Sequence, residues 1–166
     1  MKPDDTDWEL LATLQRDASP SNQALAEQVR ISPPTALRRV RRLHEEGLIE
    51  RQVALLDEDR IAALQGHGLT AIVEVTLDRQ GAEHLDAFER RAVQDGAVQQ
   101  CYRVTPGPDF VLVLRVADMP HYQAVAERLF TQDANVRNVR TFFSTQRAKF
   151  VTELPLDAPR AGVAPR

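Results

Sequence analysis

The chain has 166 residues, enough for one ordinary domain or two small ones. Apolar residues make up 43% and charged residues 27%, which excludes a disordered chain. The net charge of −3 excludes a uniformly basic molecule, so any case for nucleic-acid binding must rest on local clustering of cations.

The first predicted helix runs from Asp7 to Asp17, with Leu10, Leu11 and Leu14 as its apolar stripe and Trp8 and Ala12 flanking it. Ala18-Ser19-Pro20 breaks it. Ser21 is a good N-cap for a second helix to about Val29, whose buried face is Leu25, Ala26 and Val29. Arg30-Ile31 is a tight turn. Ser32 then caps a third helix that opens on Pro33, where a missing N–H costs nothing. Leu37, Val40 and Leu43 are expected on its inner face, and Gly47 ends it with positive φ. Leu48 to Leu56 reads as a strand or short hairpin.

Asp57 to His67 is a polar connector with a short helical turn at Ile61, Ala62 and Leu64. Gly66 and Gly68 mark the boundary. The second half changes rhythm. Strands are expected at Leu69–Leu77, Val98–Val104, Phe110–Val116 and Val136–Thr145, and helices at Gly81–Val93 and Met119–Phe130. The order β-α-β-β-α-β is the ferredoxin-like pattern. The predicted class is α+β: a winged helix-turn-helix at 1–64, a ferredoxin-like domain at 65–154 and a disordered tail at 155–166.

The third helix carries Arg38, Arg39, Arg41 and Arg42. Arg38 and Arg42 lie one turn apart with Arg41 beside them, and guanidinium forks suit phosphates and guanine edges. The orphan N–H groups of the first turn attract a phosphate, and Pro34 and Thr35 sit where a recognition helix meets bases. Arg51 falls where a wing would touch the backbone. Four arginines alone are equally consistent with a solvated face. A short helix, a tight turn and a proline-opened helix together select the helix-turn-helix and double-stranded DNA.

Other chemistry is thin. His44, His67, His84 and His121 show no metal-ligand spacing, and Cys101 has no partner, so no metal or cofactor is expected. A single cysteine points to a reducing compartment. No signal-peptide core follows Met1-Lys2-Pro3-Asp4-Asp5, and no apolar run approaches ~18 residues, so a cytoplasmic protein without a membrane partner is expected. No catalytic constellation is present, and no enzyme is expected.

The run Ser32 to Ile49, with its Ser-Pro opening, Arg-Val-Arg-Arg-Leu core and Gly-Leu-Ile exit, resembles the recognition segment of the Lrp/AsnC (leucine-responsive, feast–famine) family of regulators. So does Asp7 to Asp17 with Ala24-Leu25-Ala26 behind it, and the likeness covers about residues 3 to 154. Arg30 stands where the family usually has glycine. The resemblance implies a homodimer with further assembly up to octamers, and an amino-acid effector bound between dimers. The DNA-contacting set it supports is Ser32, Pro34, Thr35, Arg38, Arg39, Arg41, Arg42 and Arg51.

The turn Val104-Thr105-Pro106-Gly107-Pro108-Asp109-Phe110 is the candidate effector loop. Asp109 can accept from an ammonium, and Gly107 permits close backbone approach. The prolines offer no N–H. Taken alone, the turn also reads as an ordinary hairpin with Asp109 as a local cap. The family's loop has the form Thr/Ser-Gly-x-x-Asp-Tyr/Phe, which Thr105, Asp109 and Phe110 match, with Pro106 in place of the glycine. By resemblance the effector set is Val104, Thr105, Gly107, Pro108, Asp109 and Met119, with Thr141, Phe143 and Thr145 supplied by a neighbouring subunit. The function expected is an amino-acid-responsive transcriptional regulator of amino-acid metabolism or transport. Alternatives are an architectural DNA binder without an effector, and a small dimeric enzyme on the ferredoxin-like half.

Overall fold

The first 55 residues contain three helices whose ends are written by local chemistry. In the computed structural model, which describes residues 2–65 and 68–156, α1 spans Asp5–Leu14, α2 Asn22–Gln28 and α3 Pro33–Glu45. A capping box opens α1: the Asp4 side chain accepts from the Asp7 N–H at 2.9 Å, and the Asp7 side chain accepts from the Asp4 N–H at 3.0 Å. That pair places the helix start two residues before the expected Asp7. Ser21 caps α2 by accepting from Ala24 N–H.

Both α2 and α3 end in Schellman motifs. At α2 the Arg30 N–H donates to Glu27 O and the Ile31 N–H to Ala26 O. At α3 the Gly47 N–H donates to His44 O and the Leu48 N–H to Leu43 O. The motif needs a left-handed residue, and φ is 71° at Gly47 and 56° at Arg30. Arginine there carries a Cβ penalty that glycine does not. Arg30→Gly is therefore expected to raise stability by about 0.5–1 kcal/mol, since glycine's greater unfolded-state entropy offsets part of the gain. A lower melting temperature for the glycine variant would refute this.

The core of this part joins Leu10, Leu11, Leu25, Val29 and Leu43. Leu37 is not part of it; half of its surface is exposed, and Ala36 is the buried residue instead. Residues 48–56 form no strand ladder, so neither the expected strand nor the expected hairpin is present there among the described residues.

Two compact units divide the chain. The first runs to Leu55 and also takes in the chain from Lys149; the second is Leu56–Ala148. The observed division thus differs from the expected one in two ways: residues 56–64 fall in the second unit, and residues 149–156 join the first. There the Gln15 side chain donates to Leu154 O and accepts from Leu154 N–H, and Leu156 packs on the first core. The expected tail therefore keeps contacts at least to Leu156, and the rest of it lies outside the described residues. Gly66 and His67, at the expected boundary, lie outside them as well.

The second unit begins with α4 (Glu58–Gln65), a full helix where only a turn was expected. Then follow β1 (Leu69–Leu77), α5 (Ala82–Gln94), β2 (Val98–Arg103), β3 (Phe110–Val116), α6 (Met119–Ala126) and β4 (Val136–Phe143). The tail of α6 widens into a π-helical turn, Glu127–Thr131. The sheet is antiparallel, ordered β2-β3-β1-β4, as the ferredoxin-like pattern requires. Alternation puts Ala71, Val73, Val75 and Leu77 of β1 and Phe110, Leu112, Leu114 and Val116 of β3 on the helix side. Phe88 of α5 stacks on Phe110 with ring centres 4.8 Å apart. Ile72, Val111 and Val113 point the other way, where Tyr102 and Phe142 are about half exposed.

Candidate nucleic-acid interface and effector site

Ala36, Val40 and Leu43 turn one side of α3 inward. On the opposite side Pro34, Leu37, Arg38 and Arg41 are exposed, as their spacing of three and four requires. Arg38 and Arg41 have no ion-pair partner among the described residues. The row formed by the outward arginines is thus 38/41, not the expected 38/42.

Arg39 and Arg42 lie on the flank of α3 that faces α1. Arg39 Nη1 donates to both Asp4 oxygens at 2.9 and 2.8 Å and to Asp7 Oδ1 at 2.8 Å. Arg42 Nη2 donates to Asp7 Oδ2 at 2.5 Å. Asp7 is 1% exposed. Burial pushes its carboxyl pKa up, but the Asp4 N–H and the two guanidiniums outweigh this and hold it below the usual carboxylate value. The same contacts raise the Arg39 pKa. Breaking such a buried pair from one side costs about 3–5 kcal/mol. The expected placement of Arg39 and Arg42 on the outward surface is therefore corrected: both are paired with carboxylates inside the domain.

A second correction concerns the start of α3. Pro33 and Pro34 hold its first two positions, so two of the donors invoked for a phosphate do not exist. Ser32 has the extended backbone of an N-cap, but its hydroxyl meets Thr35 Oγ1 at 2.8 Å and caps no backbone N–H. Asn22 of α2 donates to Pro33 O at 2.8 Å and fixes the turn between the helices. Arg51 is three-quarters exposed, its nearest acid being Glu50 at 3.9 Å, a pair worth little in water.

The candidate effector residues do not converge within one chain. The β2–β3 turn sits by the Val75–Leu77 end of β1. Thr141 pairs with Val73 at the middle of β1, and Phe143 with Ala71 toward the other end. Met119 is exposed at the start of α6. Thr145 lies beyond β4 and is exposed, as are Thr105 and Gly107. Val104 N–H donates to Asp109 O, which closes the turn.

Asp109 is committed to the fold on two sides. Its N–H donates to Val75 O, and its Oδ2 accepts from the Leu77 N–H at 2.6 Å. Leu77 is 1% exposed, so this N–H has no recourse to water. Asp109→Ala should destabilise the second unit by about 1–3 kcal/mol, whereas Asp109→Asn keeps an acceptor and should melt near wild type. Equal melting temperatures for the alanine and asparagine variants would show that this bond carries no weight. Only the asparagine variant is then a clean probe of the charge.

Sequence reasoning overlooked an open cleft of about 410 Å³ between β4, α6 and the π turn. Tyr122, Phe130, Arg137 and Thr141 line it, and Tyr122 Oη lies 2.6 Å from Thr141 Oγ1. Thr141 is the one residue it shares with the expected effector set. Phe143 packs edge-on against Tyr122 at 5.0 Å. Cys101 is half-buried, and burial, with Glu89, pushes its thiol pKa up, which makes it a poor nucleophile. No cluster of three metal-ligating side chains exists among the described residues, and no helix there is long and apolar enough to cross a membrane.

Comparison with known proteins gives the same two parts. A winged helix-turn-helix DNA-binding family matches residues 3–50, and the Lrp/AsnC ligand binding domain family matches residues 70–154. The DNA-binding transcriptional activator DecR of Escherichia coli (strain K12) is 32% identical over 154 residues, covering 93% of this chain and 99% of that protein. The crystal structure of an AsnC family transcriptional regulator from Agrobacterium tumefaciens superposes with a TM-score of 0.82 at 29% identity, over 93% of this chain and 97% of that one. A transcriptional regulator of Neisseria meningitidis in complex with L-Met gives a TM-score of 0.82 at 26% identity, over 94% and 98%. With its helix-turn-helix followed by this four-stranded domain, the chain belongs to the Lrp/AsnC family of DNA-binding transcriptional regulators.

Proposed function

We propose that this regulator reads its operator with the outward face of α3 and answers to a small amino acid held by the second unit. The observation that carries the DNA half is the exposed pair Arg38 and Arg41, one turn apart and free of carboxylates. Forked guanidiniums in that arrangement suit guanine edges and phosphates. Ser32, Pro34 and Thr35 lie at the tip of the same helix. Leu37 beside the pair offers an apolar surface to a thymine methyl. Arg51 adds a backbone contact.

The effector half is supported by the family and by the L-Met complex of the Neisseria relative. Since the turn 104–109 and the β4 residues stand apart within one chain, a shared pocket requires another copy to bring Thr141, Phe143 and Thr145 to Val104, Thr105, Gly107, Pro108 and Asp109. A second copy also covers the open sheet face of Ile72, Val111 and Val113, which a lone subunit leaves to water. The protein then acts on double-stranded DNA as a homodimer or larger assembly, in the cytoplasm, as a regulator of amino-acid metabolism or transport.

A thermal-shift screen of the twenty amino acids, followed by DNA titration with any hit, tests this reading. At least one amino acid is expected to raise the melting temperature and change DNA affinity or assembly state. Failure of all twenty on both readouts would leave a DNA binder without this class of effector.

A further inference from the structure

We infer that Asp7, helped by Asp4, is a positioning and specificity-determining residue of the recognition helix. It locks Arg39 and Arg42 against α1 and withholds them from the duplex, so that only Arg38 and Arg41 speak for this helix. The inference rests on the reading that α3 faces DNA and goes beyond it, because it assigns roles to acids that touch no DNA.

The geometry has three parts. First, the contacts are dense: one Arg39 nitrogen meets three carboxylate oxygens within 2.9 Å, and Arg42 takes the remaining Asp7 oxygen. Second, Asp7 is buried while its partners are only about three-quarters buried, with side chains 22% and 25% exposed. A guanidinium that swung to a phosphate would strip the buried carboxylate of one of its two cationic partners. Third, the same Asp4–Asp7 pair is the capping box that starts α1. The first turn of α1 and the flank of α3 are therefore bolted together, which fixes the rotation of α3 about its axis. That rotation decides which side chains meet base edges.

The functional consequence concerns charge. Four free arginines would make many sequence-blind phosphate contacts and raise affinity for all DNA alike. Neutralising two of them inside the domain trims that component and leaves discrimination to the outward pair.

The test uses the full-length protein, a duplex selected by the wild type from a random pool, and a scrambled duplex of equal length. Affinity is measured against KCl concentration. Arg38→Ala and Arg41→Ala are expected to weaken binding, and every phosphate no longer neutralised should lower the salt slope by about 0.9. Arg39→Met and Arg42→Met are expected to leave the slope unchanged while lowering the melting temperature. Asp7→Asn, by freeing guanidiniums, should steepen the slope on the scrambled duplex and narrow the ratio between the two duplexes; Asp7→Glu should restore part of both.

If Asp7→Asn does not fold, the arginine Nε–Hε resonances of the wild type decide the matter. Those of Arg39 and Arg42 should stay in place as DNA is added, while those of Arg38 and Arg41 move. The inference is overturned if Arg39→Met or Arg42→Met lowers the slope as Arg38→Ala does. It is equally overturned if the Arg39 and Arg42 signals shift on binding, or if a folded Asp7→Asn changes stability alone. Insensitivity of binding to Arg38 and Arg41 would instead bring down the reading of α3 on which it rests.

Discussion

Replacing Arg38 and Arg41 together by alanine is expected to cost about 2–6 kcal/mol of operator affinity, with almost no change in melting temperature. Each guanidinium that meets a base bidentately contributes about 1–3 kcal/mol of discrimination, and about 1.4 kcal/mol is a tenfold change in affinity. Neither side chain is tied to the protein, so their removal exposes no buried partner and leaves no cavity. The two possible roles separate in a titration on matched and mismatched duplexes. Removing a base-reading group relaxes preference at one position; removing a phosphate-binding group weakens all sequences alike and lowers the salt slope. Wild-type affinity and slope in the double variant would show that another surface meets the duplex.

Why the sequence reading put Arg38 and Arg42 on one outward row, while the structure turns Arg38 and Arg41 outward, follows from helical geometry. Leu37, Val40 and Leu43 recur every three residues, but at 3.6 residues per turn each step of three slips back by about 60°. Over two steps the slip is about 120°, too wide for one buried stripe. Ala36, Val40 and Leu43 stay within about 60° and form the real inner face. Small Ala36 carried too weak a hydrophobic signal to be preferred over Leu37. With the inner face rotated, Arg39 and Arg42 swing toward α1, and Arg38 and Arg41 swing outward. The acids that receive the inner pair lie more than thirty residues upstream, a distance that periodicity within one helix cannot bridge.

The ferredoxin-like half was more legible because strand alternation is a strong local signal. Phe110–Val116 and Leu69–Leu77 fall where they were expected. The effector loop was legible as a motif but not as chemistry. Nothing near Asp109 in the chain announces that Leu77 N–H, more than thirty residues away, occupies its carboxylate. Likewise, the absence of a ladder in residues 48–56 depends on what lies beside them. Their composition still reads as strand, because apolar, extended residues have that preference whether or not a partner is present.

Asp7→Ala should be the most damaging single change to the first unit. It leaves Arg39 with Asp4 alone, strips Arg42 of its close carboxylate partner and removes half of the α1 capping box. A loss of about 3–5 kcal/mol is expected from breaking a buried pair on one side. The variant should also change the response to acid. The folded-state pKa of Asp7 lies below the ordinary aspartate value, because the Asp4 N–H and both guanidiniums together outweigh the effect of burial. The unfolded chain, near ~3.9, therefore takes up this proton first as pH falls. The stabilisation is fully present above the unfolded pKa and drains away as pH drops through the folded one. Without Asp7 the first unit should start weaker and lose stability less steeply below about pH 4. Asp95 of the second unit, held down by its hydrogen bonds from Arg128, keeps its own acid dependence. The chain's one tryptophan, Trp8, lies next to Asp7 in α1, so its fluorescence follows the first unit in urea titrations between about pH 3 and pH 7. A Trp8 midpoint in Asp7→Ala equal to wild type at neutral pH, or an unchanged acid limb, would mean that the buried carboxylate does not hold the helices together.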